Sequence, residues 1–530
     1  MSLPTTQDST PSDFRAAPAP LHDPLRIRGN ALRRSLFWAL VAWIPGAFWQ
    51  SASSGGSATK LALHFSDSAF WIGAMNAATF AATFLQIPGA AIIEHLGKRK
   101  WFFIWTVSAH RFLYILIGLL PWFLPSQHVS SVAVMVVLIA LSIGLNNFGG
   151  VAWTNWMADL VPARVRGKYF ALRNRAGIAT MIVTSLALGA AMDFADTTPF
   201  ANIVAPITNL CHMNPLIFLL SIVFIVSGFV GILDILSFIR VDEPPMKRSA
   251  ETILQRIRSP LADRQFMTYC LYWSIWTFAT SFGGTLWWVY LLKFFDHLED
   301  THVTGHLAWW VQHRYLMSFI ALPIGYQIGQ FLGFPVWGRA VDRFGRKPVI
   351  FVSSTLHTIS WFLWIFLSPA MLPWMALVQI GGGLAGAGQD IGNFNMMLQY
   401  NRKGGSGYQA LGSVLFAIAG FTAALLCGSL LDNLNFIDVT LWQNTRFQFH
   451  ADKYTVLILA AVVIKYIGDL FILPRVHDLA SRPRRETVRY VFLNMYDALN
   501  ATLFSPITAG VGLTTRILGA AGENVKRWFK

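Results

Sequence analysis

The chain has 530 residues, 54% hydrophobic and only 13% charged, with a mean hydropathy of +0.48, which excludes an ordinary soluble protein of this length and leaves a polytopic membrane protein. The formal charge of +15 is spread over alternate connections rather than gathered on one segment, so it marks membrane topology and not a nucleic-acid-binding face. Three cysteines, Cys211, Cys270 and Cys427, lack C-x-x-C or Cys/His ligand spacing, so no disulfide framework, metal site or cofactor is expected.

Residues 1–34 are polar and proline-rich (Pro4, Pro11, Pro18, Pro20, Pro24) and read as a disordered cytoplasmic tail. No cleavable signal precedes the first apolar run, which is expected to be an uncleaved signal anchor. Twelve apolar runs follow, at about 35–60, 69–92, 101–123, 131–157, 168–193, 215–239, 266–293, 314–338, 348–368, 372–398, 408–432 and 453–474, each near the ~20 residues that cross a hydrocarbon core. The expected fold is an all-α polytopic membrane protein with twelve transmembrane helices. Basic residues fall in every second connection: Arg33 and Arg34, Lys98 to Lys100, Arg164 to Lys168, Lys247 to Arg264, the segment 338–347, Arg402 and Lys403, and Arg475 to Arg489. By the positive-inside rule these connections and both termini face the cytoplasm, from a cell's inner membrane. In the last segment, 475–530, Val488, Tyr490, Leu493, Tyr496, Leu499 and Leu503 suit an interfacial amphipathic helix within a cytoplasmic tail.

A shift of 239 residues superposes Gly144 on Gly383, Gly149 on Gly388, Tyr169 on Tyr408, Gly189 on Gly428 and Asp193 on Asp432. The chain therefore reads as two parallel six-helix halves, 35–239 and 266–474, joined by a cytoplasmic connector at 240–265. Asp193 and Asp432 close the fifth and eleventh runs and read as solvated ends.

Between the eighth and ninth runs lies Gly338-Arg339-Ala340-Val341-Asp342-Arg343-Phe344-Gly345-Arg346-Lys347. This basic, glycine-punctuated stretch is expected to be a short loop at one membrane face. Gly338 and Gly345 would allow the turn and close helix approach, Asp342 would accept from a helix N-terminus or basic side chain, and Arg343, Arg346 and Lys347 would anchor the loop. An earlier copy sets Ala90, Glu94, Gly97, Lys98 and Arg99 at the spacings of Gly338, Asp342, Gly345, Arg346 and Lys347, with Ala90, Glu94 and His95 departing from the later pattern. The two stretches resemble the signature loop of the major facilitator superfamily, G-x-x-x-D-[R/K]-x-G-[R/K]-[R/K]. The resemblance implies a bacterial-type twelve-helix permease that works by alternating access, with a central cavity lined by the first, fourth, seventh and tenth helices. It also implies that the two loops act as conformational switches, Asp159 engaging Lys98 or Arg99 in a cytoplasmic latch worth ~0–1 kcal/mol if exposed.

No metalloprotease, P-loop, nucleophile-elbow or dinucleotide-binding pattern occurs, so no enzymatic activity is expected and uphill movement would need an ion gradient. Polar side chains gather on the four cavity helices, where they face either a wet cavity or partner helices. Candidate solute-binding residues are Gln50, Asn146, Asn147, Trp153, Trp273, Thr277, Gln389 and Asn393; Asp390 is the candidate for proton coupling. Arg111, beside His110, is expected to pair structurally with a neighbouring helix, and Lys465 and Asp469, four apart, to neutralise each other. The expected function is proton-coupled symport of a small organic solute by a monomer in the lipid bilayer, without nucleic acid. The alternatives are a drug or metabolite efflux antiporter and a non-transporting receptor or assembly factor of the same fold.

Overall fold

The computed structural model describes residues 27–245, 260–300, 306–368, 371–404, 406–441 and 449–478. The tail before residue 27, most of the connector and the 479–530 segment with its expected interfacial helix lie outside them. The chain forms helices α1 (29–65), α2 (Ala69–Leu96), α3 (Lys100–Phe123), α4 (Val129–Leu160), α5 (Ala163–Ala195), α6 (Pro215–Arg240), α7 (Arg264–Asp300), α8 (Arg314–Phe344), α9 (Arg346–Phe366), α10 (Leu372–Gly404), α11 (Ser406–Asn433) and α12 (Lys453–Arg475). Among the described residues nine of these are long and apolar enough to span a membrane. The other three, α1, α7 and α10, have the length but carry the polar clusters, and α1 is broken. Short helices Thr198–Leu210 and His306–Gln312 and an antiparallel hairpin, β1 (Asp438–Leu441) with β2 (Phe449–Asp452), fill connections that the sequence reading left without structure.

The outward surface is apolar where a soluble protein would be polar: Val137, Val183, Phe229 and Leu233 point away from the body, as hydrocarbon rather than water requires. The break in α1 follows Ser53, at Gly55, whose φ of +63° suits glycine. There the Ser57 hydroxyl donates to the Ala52 and Ser54 carbonyls at 2.7 and 3.0 Å, Ser53 to Trp49 O at 2.7 Å and Ser54 to Gln50 O at 2.5 Å. These serines satisfy backbone groups that an interrupted helix leaves open at membrane depth. In α8, Pro323 lacks an N–H and sits in a single π-turn, Ile320–Ile324.

The segment 338–347 is not a loop. Helix α8 runs to Phe344 and α9 starts at Arg346, leaving Gly345, at φ +89°, as the turn. Gly338 lies inside α8 with open space beside it, so it permits no close approach. In the earlier copy the turn is Gly97, at φ +65°, followed by Lys98 and Arg99 before α3. The first connection therefore has two more residues than the second.

Within the first six helices α3 packs on α4 and α6, and α1 on α5 and α6; within the last six α8 and α9 pack on α10, and α7 on α11 and α12. The two sets meet chiefly through α2 against α11 and α5 against α8, pairs that interchange under the 239-residue shift. At the end opposite the basic connections one hydrophobic core runs through both sets, including Phe65, Ile72, Met192, Phe295, Tyr315 and Leu431. At the basic end the cores are separate, one around Phe103 and Trp156 and two around Tyr269 and Trp337.

Candidate functional site

Where the cores separate, a cavity of about 710 Å³ opens, lined from α1 (Trp43), α2 (Thr83, Gln86), α3 (Arg111), α4 (Asn146, Asn147, Trp153, Asn155), α5 (Arg173), α6 (Asp234) and α11 (Gln409, Ser413). Asn146, Asn147 and Trp153 of the sequence candidates line it, and Gln50, Trp273, Thr277, Gln389 and Asn393 do not. The seventh and tenth helices, expected as cavity walls, contribute none of its lining; α2, α3, α5, α6 and α11 do instead.

The reason is that these side chains pack against neighbouring helices, although Gln389 Nε2 has no hydrogen-bond partner among the described residues. Gln389 is fully buried with its Oε1 2.9 Å from His357 Nδ1, Asn393 Oδ1 accepts from the Tyr269 hydroxyl, and Trp273 stacks on Trp276 with centroids 4.2 Å apart. Thr277 is buried, while Thr280 and Thr285 donate to carbonyls of their own helix and Thr285 accepts from Asn76 at 3.2 Å. Ser51 turns to Ser185 on α5, at 2.9 Å. The clustered polar groups thus bond either to a neighbouring helix or to their own backbone. Gln50 and Asp390 are exposed, and Asp390 Oδ2 accepts from Gln330 Nε2 at 3.0 Å.

Arg111 lies inside the first set and pairs with Asp234 on α6, Nη2 to Oδ2 3.2 Å, both side chains buried. Its guanidinium lies over the Trp49 ring at 3.4 Å, and Nη1 is 3.1 Å from His110 Nε2. A β-carbon at Gly231 would fall 2.7 Å from Arg111 Cδ, and one at Gly46 2.6 Å from Asp234 Oδ2; glycine at both positions makes room for the pair. Arg173 lies over Trp43 and Trp153, at 4.1 and 4.8 Å. The sequence reading passed over both Asp234 and Arg173, although each is a charge inside an apolar run and that signal alone nominates it.

Lys465 and Asp469 make no ion pair within 4 Å. Asp469 accepts from Ser354 Oγ at 2.6 Å and Tyr272 OH at 3.0 Å, while Lys465 Nζ lies 3.1 Å from His357 Nδ1 and over the Trp361 ring at 4.9 Å. A π-turn beginning at Gly468 changes the register between them, so the i,i+4 geometry of an ordinary helix is lost.

At the basic connections Arg99, not Lys98, is the buried residue. It is 1% exposed; Nη1 meets Asp159 Oδ2 at 2.5 Å, Nη2 meets Pro244 O at 2.6 Å, and its backbone N–H donates to Glu243 Oε1 at 2.5 Å. Lys100 Nζ donates to Ile239 O and Val241 O at 2.7 and 2.9 Å. In the second set Arg346 pairs with Asp478 at 3.2 Å and its N–H donates to the same carboxylate at 2.9 Å, while Lys347 Nζ donates to Pro474 O and Val476 O at 2.6 and 3.0 Å. Arg99 therefore matches Arg346 and Lys100 matches Lys347, one residue away from the register read in the sequence. Each cluster ties its connection to the segment leaving α6 or α12 of its own set; neither bridges the sets. Glu94 is half-buried near the end of α2, Arg343 is exposed, and Asp342 is exposed with no partner among the described residues. Arg99→Ala is expected to cost about 1–3 kcal/mol, because Asp159, half exposed, is rehydrated while the buried contacts to 243 and 244 are lost. Lys98→Ala, at an exposed side chain, is expected to change nothing. Thermal unfolding of the two purified variants checks the pair, and equal melting temperatures would contradict the assignment.

The opposite end is closed by two equivalent contacts between the sets. Asp193 at the end of α5 accepts the Tyr315 and Leu316 N–H groups of α8 at 2.8 and 3.0 Å; Asp432 at the end of α11 accepts those of Ala69 and Phe70 of α2 at 2.7 and 3.1 Å, with the Ser68 hydroxyl at 2.5 Å. One turn earlier, a β-carbon at Gly189 would fall 2.8 Å from Leu316 Cα and one at Gly428 2.8 Å from Ala69 O. The repeated Gly-x-x-x-Asp thus brings two backbones together and caps a helix of the other set. These aspartates are not solvated ends. Arg314 adds ion pairs to Asp196 and Glu299 beside the first cap.

No protein-family model and no curated protein matches the sequence. Solved structures do resemble it in shape. A variant of the nucleoside transporter NupG superposes with a TM-score of 0.59 at 11% identity, covering 84% of this chain and 100% of that one. A D-xylose–proton symporter gives 0.55 at 15%, covering 83% and 99%. A bacterial homologue of the human lysosomal transporter Spinster, in an inward-facing and unoccupied conformation, gives 0.51 at 13%, covering 89% and 99%.

Proposed function

This chain has the fold of the major facilitator superfamily, and on that footing we propose that it is a secondary active transporter carrying a small organic solute across the membrane by alternating access. The observation that supports this reading is the divided core: one continuous core at the capped end, separate cores and a polar-lined cavity of about 710 Å³ at the basic end. Two bodies packed at one end and parted at the other correspond to one half of a rocking cycle. The bodies are the halves 35–239 and 266–474, and the Asp193 and Asp432 caps hold the closed end. Under the positive-inside rule the cavity opens to the cytoplasm, the protein being a monomer in the inner membrane with both termini inside.

For coupling we propose proton symport, with Asp390 as the proton carrier, since it is a carboxyl on a membrane helix whose hydrogen-bond partner among the described residues, Gln330, is a neutral amide. One similar structure is itself a proton symporter. The test is uptake into proteoliposomes across an imposed pH gradient. Asp390→Asn is expected to remove or shift the pH dependence of uptake; an unaltered pH profile would take the proton role away from Asp390, and no uptake or counterflow of any solute would refute transport.

A further inference from the structure

The cavity holds more positive charge than its walls balance. Two guanidiniums reach it, Arg111 and Arg173, against the single carboxylate of Asp234, and no other charged residue is among its lining. Arg111 is engaged with Asp234 at 3.2 Å. Arg173 makes no ion pair among the described residues and senses Asp234 only at longer range. Leaning on the indoles of Trp43 and Trp153, it keeps its in-plane N–H edge for another group, and that edge is the part of a guanidinium that matches a carboxylate or phosphate. The Nε–H groups of both Arg173 and Arg111 are buried without a hydrogen-bond partner. Arg111 as a whole is only 5% exposed. At membrane depth an unpaired cation and two idle donors each cost free energy, and one class of occupant relieves both. The neutral amides of Asn146, Asn147 and Gln409 complete the wall.

We infer that the transported solute is an organic anion, a carboxylate or a phosphate, whose charged group seats on the edge of Arg173 with the Arg111 Nε–H as second donor. This assignment rests on the transporter reading and adds the substrate class to it. Arg173 is the residue that selects charge; Asn146 faces the uncharged remainder of the solute, while Asn147 is held by Gln86 and the Ile143 carbonyl.

The test compares charged probes with neutral counterparts on the purified full-length protein: benzoate with benzamide, succinate with succinamide, and glucose 6-phosphate with glucose. Binding is read by thermal shift and equilibrium titration, and transport by counterflow in proteoliposomes. At least one anion is expected to bind where its neutral counterpart does not, the carboxylate and phosphate arms telling the two sources apart. Arg173→Gln is expected to weaken that binding about tenfold or more, and Arg173→Lys to retain part of it. If Arg173→Gln does not yield folded protein, the selectivity of the wild type and the Arg173→Lys titration decide. Binding and counterflow of neutral solutes only, unchanged in Arg173→Lys, would overturn the anion assignment and leave the transporter standing. Counterflow of neither class would overturn both.

Discussion

Replacing Asp193 and Asp432 together by alanine is expected to open the end of the molecule opposite the basic connections. Each carboxylate accepts two backbone N–H groups at the first turn of a helix in the other six-helix set, and no residue of that helix supplies an equivalent cap. A lost N-cap costs about 1 kcal/mol, and more when a charged acceptor is withdrawn from amides it alone serves, so two lost caps remove about 2–4 kcal/mol from the closed state. The parted state keeps its energy, since there each helix end faces water. A change of that size moves a two-state ratio by roughly 30-fold to 1000-fold. The caps lie on separate interfaces, α5 with α8 and α11 with α2, so the single variants are expected to shift the ratio by about half the free energy each. Asparagine, which retains an acceptor, should have the smaller effect. Spin labels at positions 130 and 436, exposed near the ends of α4 and α11, report the separation. A distance distribution that stays the same in the double variant would show that the caps do not hold this end shut.

The second large effect is expected at Arg111. Alanine there leaves the Asp234 carboxylate buried at 4% exposure without its partner 3.2 Å away. Removing one member of a buried pair costs about 3–5 kcal/mol. That approaches the whole stability of many domains, so the first sign is loss of folded, monodisperse protein. Asp234→Ala should be comparably damaging, because it strands a guanidinium that then has only the Trp49 ring and His110 around it. Replacing both members with apolar side chains of similar volume should recover much of the loss, since the desolvation of two charges disappears with them. Yield by size-exclusion and melting temperature measure the cycle. If Arg111→Ala folds normally and only changes solute preference, the pair serves the solute alone and does not support the fold.

Much of this protein was readable from its residues. Nine of the twelve helices follow from local hydropathy alone, because a bilayer demands about 20 apolar residues per crossing and punishes anything else locally, with no reference to distant parts of the chain. The internal repeat was equally visible, down to the Gly189 and Asp193 that recur as Gly428 and Asp432. What those residues do was not visible. A cap in trans depends on which helix N-terminus comes to lie against them, and that is set by how the two halves dock. The same limit explains the other corrections. One additional residue between Gly97 and the anchoring arginine moves that role from Lys98 to Arg99, a π-turn separates Lys465 from Asp469, and hydroxyls gathered on α1 and α7 bond to their own backbone. The wall of the cavity was the least legible feature, for polarity in a membrane sequence reports that a group needs a partner and says nothing of whether that partner is solute, water or the next helix. Only three-dimensional packing distinguishes these, by setting Arg173 in the cavity wall without an ion pair among the described residues and joining Gln389 Oε1 to His357 in a closed core.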